Sequence, residues 1–301
     1  MTGGVVTGPP PGGAFIAIDW GTTNRRCHVI AADGTVIAGE RDGRGILSVP
    51  PGGFAGEVAG IRARLGDLPM LCAGMVGSNR GWAVAPYVPC PATIGALAEH
   101  LIWIEPGHTA IVPGVATAAD VAPDVMRGEE VQLLGAVAAG LAPPDALLCQ
   151  PGTHSKWATI AGGAITGFAT AMTGELFALL RGHSLLADFM TGAVADGPAF
   201  RDGLALAATA APLTALFGER AGAVLGRIPA DDVAARVSGL LIGQDVAERR
   251  LAPGTPVHIL AEPGLGDLYA AAVTLAGGVP VAVDSHAAFV AGITAIRSLA
   301  A

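Results

Sequence analysis

The fold class this sequence predicts is α/β, built on a duplicated core, and three observations predict it. An apolar strand followed at once by a Gly-Thr turn occurs twice, at residues 15–19 before Gly21-Thr22 and at residues 146–149 before Gly152-Thr153. After a similar gap each copy reaches a hairpin turn, Asp33-Gly34 in the first and Gly162-Gly163 in the second. The C-terminal part then alternates strand and helix as parallel sheet segments do.

The elements follow in order. Residues 15–19 form an apolar strand ending in Asp19, with further strands at 26–31 and 36–39. Phe54, Val58, Ile61 and Leu65 recur at helical spacing over 54–65, and residues 70–73 make a buried strand. Residues 74–91 are loop-like and hold Asn79, Arg80, Trp82 and Tyr87. Glu129 and Glu130 open an apolar helix running to Gly140, with Gly128 as its cap. The second copy supplies the strand at 146–149, a polar turn over 150–156 leading into a strand, and a third strand at 164–170. Helices begin at Thr173 and lie within 230–250; a strand at 257–261, a helix at 266–275, a strand at 279–283 and a last helix at 285–299 complete the chain.

Composition narrows the function classes. The 301 residues are 51% hydrophobic and 14% charged, with mean hydropathy +0.55. The excess is largely alanine and glycine, and there is chain enough for two domains of about 150 residues. The longest uncharged runs, residues 81–98 and 157–174, are interrupted by Pro86, Pro89 and Pro91 or by Gly162, Gly163 and Gly167. Neither supplies the about 20 continuous apolar residues that a membrane helix needs. Residues 1–14 lack a basic and an apolar region and contain Pro9-Pro10-Pro11, so they are expected to form a disordered tail and not a signal peptide. Cys27, Cys72, Cys90 and Cys149 are scattered without a C-x-x-C pair, which suits a reducing cytoplasm and argues against a disulfide framework or zinc site. A net charge of −8, with no basic run longer than Arg249-Arg250, disfavours nucleic acid and anionic membrane and leaves a small-molecule partner. Of the 17 basic residues only Lys156 is a lysine.

That lysine lies in one of two turns suited to phosphate. A carboxylate at the end of a buried strand, Asp19, followed by Gly21, Thr22, Thr23 and Asn24, offers an acid for hydrated Mg²⁺ and backbone and hydroxyl groups for phosphate oxygens. A polar hairpin with no ligand would look the same. The second turn adds Gly152, Thr153, His154 and Ser155 and ends on the Lys156 ammonium, a compact charge for a phosphate or carboxylate. No Walker A signature is present, because Ser155 and not glycine precedes Lys156.

The motifs Asp19-Trp20-Gly21-Thr22-Thr23-Asn24-Arg25-Arg26, Gly74-Met75-Val76-Gly77-Ser78-Asn79 with Gly81-Trp82, Arg127-Gly128-Glu129-Glu130-Val131-Gln132-Leu133-Leu134-Gly135-Ala136, Pro151-Gly152-Thr153-His154-Ser155-Lys156-Trp157, Met172-Thr173-Gly174-Glu175-Leu176 and Ser238-Gly239-Leu240-Leu241-Ile242-Gly243 are spread over most of the chain. In that order they resemble the blocks of the 2-dehydro-3-deoxygalactonokinase family, within the actin-like ATPase and sugar kinase superfamily. The resemblance implies two ribonuclease H-like domains around a central cleft, residues 15–126 and 127–285, with the helix of residues 286–301 packing back on the first. It implies ATP-dependent phosphorylation, with Mg²⁺, of the terminal (C6) hydroxyl of 2-dehydro-3-deoxy-D-galactonate, a step of galactonate degradation. The partners implied are the sugar acid and ATP, and homo-oligomerisation is left open.

Roles follow residue by residue. Asp19 is expected on the metal side, since Gln150 stands where relatives in the superfamily carry a second aspartate. Gly21, Thr22, Thr23 and Asn24 from the first turn, and Gly152, Thr153, His154 and Lys156 from the second, are expected to hold phosphates. Glu130, ahead of Glu129, is the expected base, although acids at a helix start also complement its dipole. Arg26 and Arg127 are candidates for the substrate carboxylate, and Asn79, Trp82 and Glu175 for its hydroxyls, with Trp82 equally readable as a core anchor. Gly239 and Gly264 are expected near the nucleoside. The competing readings are another sugar or amino-sugar kinase of the superfamily, or an ATP-binding regulatory module without transfer activity.

Overall fold

The structure is a computed structural model that describes residues 13–300. The expected tail, residues 1–14, falls almost wholly outside them. Two compact units are present, one comprising the described residues of Met1–Asp145, Ala158–Phe168 and Ser285–Ala301, the other Ala146–Trp157 and Ala169–Asp284.

In the first unit the elements are β1 (Phe15–Trp20), β2 (Arg25–Ile30), β3 (Val36–Asp42), α1 (Phe54–Leu65), β4 (Met70–Gly74), β5 (Tyr87–Pro89) and α2 (Ile94–Glu99). They continue with β6 (Ile102–Glu105), β7 (Thr109–Ile111), β8 (Gly114–Ala116), β9 (Val125–Met126) and α3 (Glu129–Ala138). The main sheet has the order β3-β2-β1-β4-β7-β6, with β1 antiparallel to β2 and parallel to β4. Alternation puts Ile16, Ile18 and Trp20 on the face that packs with Phe54, Val58, Ile61 and Leu65 of α1, the four positions whose spacing predicts that helix. Asp19 lies on the other face, cross-strand from Arg26 and beside Ala73.

The second sheet uses β10 (Ala146–Gln150), β11 (Ser155–Ala161) and β12 (Ala164–Ala171). Its helices α4 (Thr173–His183), α5 (Pro198–Ala207), α6 (Pro212–Val224) and α7 (Ala230–Ala247) precede β13 (Pro256–Leu260), α8 (Leu265–Leu275) and β14 (Val279–Val283). The order β12-β11-β10-β13-β14 repeats the first five positions of the first sheet, and β10 is parallel to β13 as β1 is to β4. The duplicated Gly-Thr turn is therefore the local sign of a duplicated sheet. Gly162 and Gly163 sit at φ +56° and +79°, the left-handed conformations that a tight hairpin requires.

The last helix, α9 (Ser285–Leu299), belongs to the first unit and crosses α3 closely. A Cβ on Gly135 would stand 2.0 Å from the Ala288 carbonyl oxygen, and one on Gly292 equally close to that of Val131. This contact groups α3 with the first unit, although the sequence puts the start of the second domain at Arg127. The four cysteines are all buried and free. Among the described residues no helix is long and apolar enough to cross a membrane.

Candidate active site

The first turn is shaped from behind. Gly21 N–H donates to the Asn24 carbonyl at 2.9 Å, and the amides of Gly45, Ile46 and Leu47 donate to the carbonyls of Thr23, Gly21 and Thr22. The turn carbonyls are thus occupied, while Thr22, Thr23 and Asn24 are exposed. A Cβ on Gly45 would lie 2.3 Å from the Thr22 oxygen. Gly45 lies in none of the motifs, and the Gly43-Arg44-Gly45 run after β3 is its only local sign in the sequence. Arg25 is structural: it is buried and bonds Asp42 at 2.6 Å and Glu57 at 3.0 Å.

Asp19 stands at the end of β1 with its side chain 23% exposed and ion-paired to Arg26 at 3.4 Å. Burial pushes its pKa up, opposed by the Arg26 and Arg41 charges. Among the described residues no three acidic, histidine or cysteine side chains converge to hold a metal. A hydrated Mg²⁺ carried mainly by phosphates needs only one or two protein carboxylates, and Asp19 beside exposed hydroxyls fits that donor set.

The start of α3 meets the same sheet end. Gly74, paired with Trp20 across β1 and β4, has φ +93°, and a Cβ there would stand 2.8 Å from the Trp20 oxygen. Gly128, at φ +107°, approaches Gly74 so closely that its own Cβ would be 3.0 Å from the Gly74 Cα. Glu130 is fully buried, and its two carboxylate oxygens accept from Gly128 N–H at 2.7 and 2.9 Å. Burial, then the Glu129 charge, raise its pKa to about 8 against the pull of the Gly128 and Glu130 amides and Arg127. Glu129 is half-buried and accepts from Arg127 N–H at 3.0 Å.

Arg127 is 9% exposed, its guanidinium 4.3 Å from the centre of the Tyr87 ring. Nη2 donates to the Ala85 carbonyl at 2.8 Å, while Nε and Nη1 are buried with no hydrogen-bond partner. Asn79 is exposed on the loop after β4. Trp82 stacks on Phe54 at 6.4 Å, and Phe54 in turn meets Trp20 edge-on, so the core-anchor alternative describes what its ring touches.

In the second unit Gly152, Thr153 and His154 form the turn between β10 and β11, against which α4 begins. A Cβ on Gly174 would come within 2.3 Å of the Gly152 oxygen, and Glu175 N–H donates to the Thr153 carbonyl at 2.9 Å. His154 Nε2 and Glu175 Oε2 are 2.6 Å apart, so the latter carboxylate is already engaged by a residue of the turn. Lys156 is 4% exposed and Nζ donates to Thr170 Oγ1 at 2.9 Å. Gly239 serves helix packing where the sequence suggests a nucleoside contact: a Cβ there would stand 2.1 Å from the Phe200 oxygen, at the crossing of α5 and α7. Gly264 caps α8 at φ +86°, its N–H donating to Asp267 at 3.1 Å, with open space where a Cβ would point. Asp245 and Tyr269, buried behind the second turn, have no signal in the sequence.

Two sheets with one repeated strand order, each with a Gly-Thr turn after the strand that comes first in the chain, define a two-domain ribonuclease H-like protein, the architecture of actin-like ATPases and sugar kinases. At the level of fold alone the chain is similar to the activator of 2-hydroxyisocaproyl-CoA dehydratase from Clostridium difficile, with a TM-score of 0.50 at 10% identity over 95% of both chains. The 2-keto-3-deoxy-galactonokinase family model matches residues 19–296. The 2-dehydro-3-deoxygalactonokinase of Escherichia coli (strain K12) is 37% identical over 94% of this chain and 97% of its own length. A probable 2-dehydro-3-deoxygalactonokinase of Rhizobium meliloti (strain 1021) is 37% identical over 94% and 96%. A crystal structure from Sinorhizobium meliloti, assigned to the same kinase, superposes with a TM-score of 0.86 at 36% identity over 94% of this chain and 97% of that one. The chain belongs to the 2-keto-3-deoxy-galactonokinase family.

Proposed function

We propose that this protein transfers the γ-phosphoryl group of ATP to the C6 hydroxyl of 2-dehydro-3-deoxy-D-galactonate, giving the 6-phosphate and ADP. Beyond family membership, the observation that carries this reading is a fully buried Glu130 of raised pKa near in sequence to Arg127, whose guanidinium keeps two buried nitrogens without partners. A base of raised pKa suits removal of a hydroxyl proton, and a desolvated guanidinium suits a carboxylate.

The residues then divide by task. Glu130, with Glu129 beside it, accepts the C6 proton as the oxygen attacks phosphorus. Arg127 holds the sugar-acid carboxylate, with Arg26 as the second cation and Asn79 toward the hydroxyls. The exposed Thr22, Thr23 and Asn24, together with the turn at Gly152, Thr153, His154 and Lys156, hold phosphate oxygens. Asp19 is the protein acid for Mg²⁺, which when bound to the nucleotide neutralises phosphate charge. Four buried free thiols suit a cytoplasmic site of action.

A coupled ADP-release assay with ATP, Mg²⁺ and 2-dehydro-3-deoxy-D-galactonate tests the reading, with the gluconate-type epimer as comparison. ADP formation no faster than without sugar acid would overturn it. In the same assay Lys156→Met, which keeps the buried volume while removing the charge, should lower kcat/KM by about tenfold. Unchanged kcat/KM would mean that the second turn works through its backbone and hydroxyls.

A further inference from the structure

Behind the second turn lies a buried polar chain to which the kinase reading assigns nothing. Ser155 Oγ is 2.6 Å from Tyr269 Oη, and Tyr269 donates to Asp245 Oδ2 at 2.7 Å. The same Oδ2 accepts from Thr173 Oγ1 at 2.9 Å, and Oδ1 accepts from Trp157 Nε1 at 2.9 Å. All five residues are at most 9% exposed. One carboxylate thus ties β11, α4, α7 and α8 together.

Proton direction in this chain follows from valence. A carboxylate with three donors on two oxygens acts as acceptor throughout, so the single Tyr269 hydroxyl proton goes to Asp245 and Ser155 must donate to Tyr269. Thr173 likewise commits its proton to Asp245. The hydroxyls of Ser155 and Thr173, at the end of the turn and the start of α4, both have their protons directed inward.

Burying a carboxylate in a domain core is unfavourable, and an apolar substitute would serve packing as well. What the carboxylate supplies is direction. The segments it orients, Ser155 and Thr173, flank the place where Gly174 packs against the Gly152 carbonyl and Glu175 N–H reaches the Thr153 carbonyl.

We infer that Asp245 is a positioning residue for the second phosphate turn: through Tyr269, Ser155 and Thr173 it fixes the backbone of residues 152–155 against the first residues of α4. It follows that nucleotide phosphates meet backbone N–H groups of the turn and not the hydroxyl protons of Ser155 or Thr173. The inference rests on the kinase reading, because the turn must hold a nucleotide for its geometry to matter.

The test is calorimetric binding of Mg·ADP to wild type, Asp245→Asn, Thr173→Val and Thr173→Ser, with steady-state KM for ATP and for the sugar acid. Loss of a buried acceptor or donor should weaken ADP binding by about tenfold in Asp245→Asn and Thr173→Val. Thr173→Ser keeps the hydroxyl and should stay within about twofold, and KM should rise for ATP but not for the sugar acid. ADP affinity unchanged in Asp245→Asn and Thr173→Val, or loss of both affinities together with a lowered Tm, would overturn the inference. Should Asp245→Asn fail to fold, the contrast between valine and serine at position 173 decides. A wild type that binds no ADP overturns the kinase reading and this inference with it; a wild type that binds and variants that match it overturn the inference alone.

Discussion

Glu130→Gln is expected to lower kcat by about 10² to 10³ while the fold stays intact. The amide oxygen can still accept from Gly128 N–H, so the helix start keeps a partner, but glutamine cannot take a proton from a hydroxyl. In the wild type, with Glu130 raised to about 8, kcat/KM should climb with pH until that value is passed, because the base works only when deprotonated. The variant should lose this limb. An unaltered kcat, or a limb that persists in the variant, would remove Glu130 from the role and leave Glu129 as the base.

Stability provides an independent check with a defined sign. Folding lifts the Glu130 pKa from 4.5 to about 8. Between those values the folded protein retains a proton that the unfolded chain releases, so the wild type loses stability as pH rises, by up to about 1.4 kcal/mol per pH unit. Below 4.5 both states are protonated and the effect vanishes; above about 8 it levels off. Urea denaturation at pH 5 and pH 8 should therefore show the variant gaining on the wild type at the higher pH. A difference that stays constant would mean that Glu130 titrates normally.

Arg127→Lys is expected to raise KM for the sugar acid by about 10² and leave KM for ATP within about twofold. Lysine keeps the charge but loses the planar fork, and with it the Nε and Nη1 hydrogens that have no partner in the protein. The Tyr87 ring and the Ala85 carbonyl hold the guanidinium in place, so the native side chain is fixed before substrate arrives. An analogue lacking the carboxylate should bind the wild type weakly and the variant no worse, which separates carboxylate recognition from general damage. Equal sensitivity of both compounds would assign Arg127 to structure.

Much of the fold is legible in local pattern. Phe54, Val58, Ile61 and Leu65 predict the helix they bury, and the strand at Val279–Val283 and the helix at Ser285–Leu299 have the bounds that periodicity suggests. The short strands β5 to β9 are not legible, because two to four residues hold too few alternations to show a period. Glycine is ambiguous for a related reason. Gly239 sits in a motif and looks like a ligand contact, yet it exists to let α7 pass the Phe200 carbonyl. Gly45 sits in no motif and shapes the first turn.

The sequence by itself determined the duplicated turn and strand plan, the family and the candidate chemistry, because turn residues and motifs act over a few neighbouring positions. Only the tertiary structure decided which of these groups are desolvated. Burial separates Glu130 from Glu129 and leaves two Arg127 N–H groups without partners. It also gathers Ser155, Thr173, Asp245 and Tyr269, as much as 114 residues apart in the chain, around one carboxylate. Desolvation and long-range hydrogen bonding depend on what the fold brings alongside a residue, and no local pattern records that.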